Sequence, residues 1–463
     1  MKQILIKNAC IVSMDKKIGI IPRGDILIEG TRIKSVGMDI DAPDAEIIQA
    51  ENMIAAPGFV DGHRHNWQTL LKMIGVNFTM GDYVSGIKWT FGDVFDTDEI
   101  YLSEYLGALE CLNAGTTTMC NFAHNNITPE HTDAQIKAMM DSGIRCVFAY
   151  AGSNFMWKEM PSTVPYDYED CRRAHRKYCQ SEDQLLTMAI GGRGPQNVPM
   201  ELALEELNLA KELDVMCMLS IGEGLWASSC PNTVELLHKL NMVTDKLQFT
   251  HLNAISREEF QIIADTGASV VMCPEVELSM GFGWNSTLKC LDKQILPGIS
   301  SDTPPSVSCD MISQMKTTLI TARNQVHLEN IRKRQLNSPM VINAEDVLRY
   351  ATVGGAGAVG MKHKIGTLEE GKEADIILVS TENVQMWPVN GAVNALVEYA
   401  SPESVDTVIV GGKIVKKDKK LVGIDMKGLR TKVERTRNEL FEKCGVPADG
   451  FWKPEFYEPD FEV

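Results

Sequence analysis

The 463-residue chain is 44% hydrophobic and carries 62 acidic against 45 basic residues, a formal net charge of −17. That length exceeds one ordinary domain, so a large domain with a smaller companion is expected. The acidic balance excludes a nucleic-acid surface, which needs clustered Lys and Arg to release counterions from phosphate.

The chain opens with MKQILIKNACIVSMD, where Lys2, Lys7 and Asn8 interrupt the apolar residues, so no secretion signal is expected. KQILIKNACIVSM and GDILIEGTRIKSVG alternate like short strands between Gly and Asp turns and predict a small β-structure. After Pro57 and Gly58 the pattern changes. Helical segments such as ELALEELNLAKELD and SREEFQIIADTG alternate with β-rich runs such as LLTMAIGG, LQFTHLN and ASVVMCP. About eight such units fit between residue 58 and about residue 360, which favours a closed (β/α)₈ barrel over an open sheet. Past Gly366 the strand-like pattern returns in GTLEEGKEADIILVS and SVDTVIVGGKIVKKDKKLVG. The reading is an α/β protein in which residues 58–360 form the barrel. Residues 1–57 and 361–422 together form a small β-sandwich, and 423–463 add a C-terminal helix and an aromatic, acidic tail that packs across a surface. VGGAGAVGM lacks the strand-to-helix order of a nucleotide loop and reads as tight helix packing, and VKKDKK reads as a hairpin turn. No run is long enough to span a membrane. Twelve cysteines scattered from Cys10 to Cys444, without finger spacing, read as reduced thiols of a cytoplasmic protein.

The strongest chemical signal is PGFVDGHRH, an apolar strand running into His63, Arg64 and His65. Strand residues two apart face the same side, so both imidazoles point together into the barrel mouth while Arg64 points away into an ion pair. Taken alone the motif also fits a surface loop. Other polar residues, however, end later strand candidates: Glu223 follows VMCMLSIG, His251 ends LQFTH and Asp302 ends ILPGISSD. A barrel places its catalytic groups at those ends.

With these segments in view, the chain resembles the amidohydrolase superfamily, in its cytosine-deaminase-like and atrazine-chlorohydrolase-like branch. PGFVDGHRH, NAGTTTMCNF, THLNAISREE, PGISSD and GTLEEGKEADIILV carry the resemblance, in order along nearly the whole chain. It implies a barrel with a β-sandwich from both termini, and one divalent metal ion per subunit, zinc first with iron or manganese as alternatives. His63 and His65 from the first barrel strand would be ligands, and Asp302 from the eighth a ligand and proton acceptor. His251 from the sixth would stand over the reactive water or act as a fourth donor. Glu223 would shuttle a proton to the leaving group. One departure stands out: Ser220 occupies the fifth-strand position where the family places a histidine ligand, and serine is a poor neutral donor for zinc.

Six further residues are substrate-binding candidates. Trp67 and Gln68 follow the HRH motif as a flat wall with one amide. His124 comes after the run read as the third barrel strand. Arg193 and Gln196 follow the fourth, and Glu275 follows the seventh. The implied reaction is attack of activated water on an electron-poor carbon of a nitrogen heterocycle or cyclic amidine or amide. Ammonia is the leaving group ranked first, ahead of chloride, sulfide or an amine. Ser220 keeps open a metal-free acid–base lyase or isomerase, and a non-catalytic small-molecule-binding protein is the other alternative. The expected partners are the heterocycle and further copies of the chain, as a homodimer or higher homo-oligomer.

Overall fold

A computed structural model describes residues 2–153, 162–447 and 452–454. Five strands open the chain: β1 (Gln3–Val12), β2 (Ile20–Glu29), β3 (Arg32–Gly37), β4 (Glu46–Gln49) and β5 (Met53–Pro57). Near the other end lie β14 (Ile376–Ser380), β15 (Val405–Val410), β16 (Lys413–Lys417) and β17 (Lys420–Leu421). These nine strands form one mixed sheet in the order β17-β16-β15-β14-β5-β1-β2-β3, with β4 beside β1. The two chain ends meet where β5 pairs antiparallel with β14, Ala55 opposite Leu378. Alternating Ile residues from both ends, Ile4, Ile6, Ile26, Ile28, Ile376 and Ile409 among them, close over a core of their own. The VKKDKK segment is the turn between β16 and β17, where Asp418 and Lys419 take the left-handed conformation.

Between these ends run eight strands: β6 (Phe59–Arg64), β7 (Thr116–Asn126), β8 (Arg145–Gly152), β9 (Leu186–Gly192), β10 (Cys217–Ile221), β11 (Leu247–His251), β12 (Ser269–Met272) and β13 (Gly298–Ile299). Each pairs in parallel with its neighbour in chain order. The amide of Asp302 donates to His63 O at 3.1 Å, and that of His65 donates to Asp302 O at 2.9 Å. These bonds bring the end of the last strand against the first and close the ring. The helices predicted for ELALEELNLAKELD and SREEFQIIADTG are present as Met200–Leu213 and Arg257–Thr266. The second helix begins with a reciprocal Ser256–Glu259 cap and ends at Gly267, whose φ of +75° a side chain would strain. VGGAGAVGM packs as tightly as its composition implies, since a Cβ on Gly354 would stand 2.0 Å from the carbonyl oxygen of Pro297.

Arg145 at the start of β8 joins the two parts. Its Nε donates to Asp375 Oδ2 at 2.8 Å and its Nη2 to Glu373 Oε2 at 3.2 Å, all three side chains being buried. The C-terminal helix occupies Met426–Lys443, and Leu440 and Phe441 pack into a second core with Phe91 and Trp67. The expected surface packing of the terminal tail falls largely outside the described residues.

Candidate metal centre and active site

His63 lies on β6 and His65 follows it. Asp302 and His251 stand at the ends of the eighth and sixth barrel strands, Ser220 on β10 and Glu223 two residues beyond that strand. Asp302 (φ 58°) and His251 (φ 76°) both take the left-handed backbone conformation. For a residue other than glycine that conformation costs energy and clusters at functional positions.

His63 Nε2 and His65 Nε2 are 3.3 Å apart. Oδ1 of Asp302 lies 3.7 Å from the first and 3.3 Å from the second. Burial holds both imidazoles well below the ordinary histidine range, so both are neutral and offer lone pairs. Oδ1 of Asp302 has no hydrogen-bond donor, although it is buried. Donors about 2.1 Å from a common tetrahedral ion stand roughly 3.4 Å from one another, so this set fits a divalent cation. His251 Nε2 lies farther out, 3.9 Å from Oδ2 of Asp302 and 3.5 Å from Oε1 of Glu223.

The other ring nitrogen of His251 meets Glu277 Oε1 at 3.4 Å. Glu277 is itself fixed by the Cys273 amide at 2.7 Å and by Asn253 Nδ2 at 3.2 Å. Burial opposes the charge on His251, but Glu277, Glu223 and Asp302 outweigh it and push the imidazole up to about 9. Burial lifts the Asp302 carboxyl to about 7, with His251 opposing and Glu223 and Glu277 reinforcing. Ser220 faces the same space, and its hydroxyl, shielded from solvent, has no partner. The fifth-strand donor of the family pattern is thus replaced by an open position beside the cluster.

His65, Ser220, Glu223, His251 and Asp302 line a cavity that is open to solvent, with His63 buried behind them. His124 lines it, but from β7, the second barrel strand rather than the third. The chain between β6 and β7 is helical and contributes no strand to the barrel. Trp67 and Gln68 do not line the cavity. They lie in the buried turn Asn66–Leu71 and act one step behind. Trp67 Nε1 donates to His124 Nδ1 at 2.8 Å, and Gln68 Nε2 donates to the Tyr83 hydroxyl at 2.7 Å. Indole N–H can only donate, so Nδ1 of His124 accepts and its proton sits on Nε2. Arg193 lines the cavity but is held by Glu206, with Nε to Oε1 at 2.6 Å, and by the Val164 carbonyl at 2.7 Å. Gln196 stands behind the wall, accepting from the Gly222 amide at 2.9 Å and donating to Thr233 at 3.2 Å. Glu275 is turned outward to Gln314 at 2.7 Å, so the inward acid after β12 is Glu277. Arg64 faces away from the site and pairs with Glu110 at 2.7 Å.

One lining residue carried no signal in the sequence reading. Lys88 belongs to the wide helical turn Val84–Trp89, far from any strand end, and reaches the cavity across the Tyr83 ring at 5.4 Å. Burial lowers its ammonium from the ordinary lysine range, against the attraction of Glu223 and Asp302.

A closed parallel barrel with paired histidines on its first strand and an aspartate after its last defines a metal-dependent hydrolase. The amidohydrolase family model matches residues 54–415, and the chain belongs to that family. It is 27% identical over 432 residues to the 5-methylthioadenosine/S-adenosylhomocysteine deaminase of Carboxydothermus hydrogenoformans, covering 91% of this chain and 94% of that one. It is 25% identical to the 5′-deoxyadenosine deaminase of Methanobrevibacter smithii, covering 95% and 98%. The fold matches an adenosine deaminase from Xanthomonas campestris with bound zinc at a TM-score of 0.83 and 22% identity, covering 95% and 99%. It also matches a zinc complex of atrazine chlorohydrolase from Arthrobacter aurescens at a TM-score of 0.79 and 22% identity, covering 94% and 100%.

Proposed function

We propose that the chain is a zinc-dependent deaminase that replaces a ring amine of a nitrogen heterocycle by a carbonyl, releasing ammonia. The observation that carries this reading is the convergence of His63, His65 and Asp302, with His251 and Glu223 beside them, at one cavity. The names of the deaminase relatives support an adenine-type substrate.

His63, His65 and Asp302 would hold the ion, with His251 beside them. When bound, the ion polarises the substrate and lowers the pKa of water toward neutrality. Asp302 accepts the water proton at Oδ2, on the side facing His251. Glu223 Oε1 delivers a proton to the departing amine, so water and the C–NH₂ group become the ring carbonyl and ammonia. His251 Nε2 lies between the two carboxylates, and Glu277 fixes its orientation from behind. Nε2–H of His124 donates to a ring acceptor, which orients the heterocycle. Unpaired thiols throughout support a cytoplasmic enzyme, and we read its partners as copies of itself.

The test is ammonia release by zinc-loaded protein from adenosine, 5′-methylthioadenosine and 5′-deoxyadenosine, beside a Glu223→Gln variant. Loss of a general acid lowers kcat by about 10²- to 10⁴-fold, while metal content stays unchanged. Turnover that survives complete removal of metal would sink the reading.

A further inference from the structure

Lys88 lines the cavity. Among the described residues no carboxylate lies within 4.0 Å of its ammonium, whose close neighbour is the face of the Tyr83 ring. Arg193, the arginine lining the same cavity, is taken up by Glu206. The cavity lining that Lys88 shares includes the apolar side chains of Met80, Val84, Trp89 and Phe282. An ammonium in such a setting has lost part of its hydration and gains from an anion that replaces it.

The charged lining sets where that anion can stand. Glu223 and Asp302 repel a negative group near the reacting carbon, and Lys88 attracts one to its own part of the lining. An acidic substrate is therefore favoured with its charge on Lys88 and its amine toward Glu223. The valence is also defined. One ammonium with no free guanidinium fork beside it matches a singly charged group better than a phosphate, which is usually gathered by several donors.

We propose that Lys88 receives a carboxylate of the substrate, so that the chain acts on an aminated nitrogen heterocycle bearing one acid group. The reaction named here rests on the deaminase reading of the same site; the charge of the ligand does not.

The experiment uses isosteric pairs that differ only in charge: adenosine-5′-carboxylate and its carboxamide, cytosine-5-carboxylate and its carboxamide, and pterin-6-carboxylate and its carboxamide. For zinc-loaded parent protein, Lys88→Gln and Lys88→Arg, the readouts are ammonia release and the equilibrium Kd of each compound by calorimetry. A hydrogen bond to a charged partner predicts a carboxylate preference of about 10- to 100-fold in at least one pair. The ratio should collapse toward unity in Lys88→Gln and largely survive in Lys88→Arg. No carboxylate preference in any pair by either readout, or a preference that persists in Lys88→Gln, overturns the proposal. Equal losses for both members of a pair also overturn it, because they assign Lys88 to balancing Glu223 and Asp302. A preference in Kd with no ammonia from any compound keeps Lys88 in its role and defeats the deaminase reading instead.

Discussion

Replacing Trp67 with Phe removes a single N–H from the layer behind the active site. Trp67 is fully buried, and its indole donates to Nδ1 of His124, itself 7% exposed. A buried acceptor that loses its donor costs about 1–3 kcal/mol. The smaller ring adds a packing loss of about 1 kcal/mol, at the low end for aromatic truncations. The variant should therefore unfold in denaturant with about 2–4 kcal/mol less stability. The imidazole has one escape, which is to move its proton to Nδ1 and turn Nε2 into an acceptor. ¹⁵N spectra of histidine-labelled protein separate the two tautomers, since protonated and bare ring nitrogens resonate far apart. The parent should show His124 with a bare Nδ1, and the variant should show it protonated or in exchange, with a raised KM. A variant within about 0.5 kcal/mol of the parent, with His124 nitrogens unmoved, refutes the argument that this bond fixes the ring.

Arg145→Leu strands two buried carboxylates, Asp375 and Glu373, between the barrel and the terminal sheet. Its cost should be about 3–5 kcal/mol by denaturant unfolding, and a loss below 1 kcal/mol would show the junction to be incidental. Ser220→His restores an imidazole at the open position, and zinc should then survive a chelator concentration that strips the parent. The metal-free form should also report its ligands through pH. Asp302, lifted to about 7, holds a proton below that value, so zinc must displace it and affinity should fall about tenfold per unit as pH drops below 7. His63 and His65 are already neutral and add nothing to that slope. His251, raised to about 9, stays protonated between these values, and its greater distance predicts a plateau in affinity above pH 7. A rise continuing to about pH 9 would make His251 a ligand.

The barrel and the paired histidines were legible because both depend on local period: alternation on a strand places His63 and His65 together, and helix–strand alternation repeats along the chain. The same logic located Glu223, His251 and Asp302, since catalytic groups gather where strands end. It failed where a residue acts through a neighbour. Trp67 and Gln68 follow the motif closely in sequence, yet the turn they occupy points them behind the wall instead of into it. Glu275 and Glu277 are two residues apart on one short helix, where the 100° step between residues separates their faces, and spacing alone did not say which faced inward. His124 was placed one strand too late because the stretch between β6 and β7 contains only helical turns. Lys88 could not have been found by pattern at all, because it sits mid-turn and reaches the cavity only through the packing of that turn over Tyr83.

The ring closure described above has a further implication for how this enzyme comes into being. The candidate ligands sit on the first and last barrel strands, and the amide–carbonyl bonds that join those strands run between the ligand residues themselves. A nascent chain that has made seven strands holds His63 and His65 but has nothing to set opposite them. Catalytic competence therefore arrives only with the eighth barrel strand, and a protein that hydrolyses substrate has by that fact closed its barrel. A bound ion would act as a clasp across the joint, holding together two stretches that are far apart in sequence.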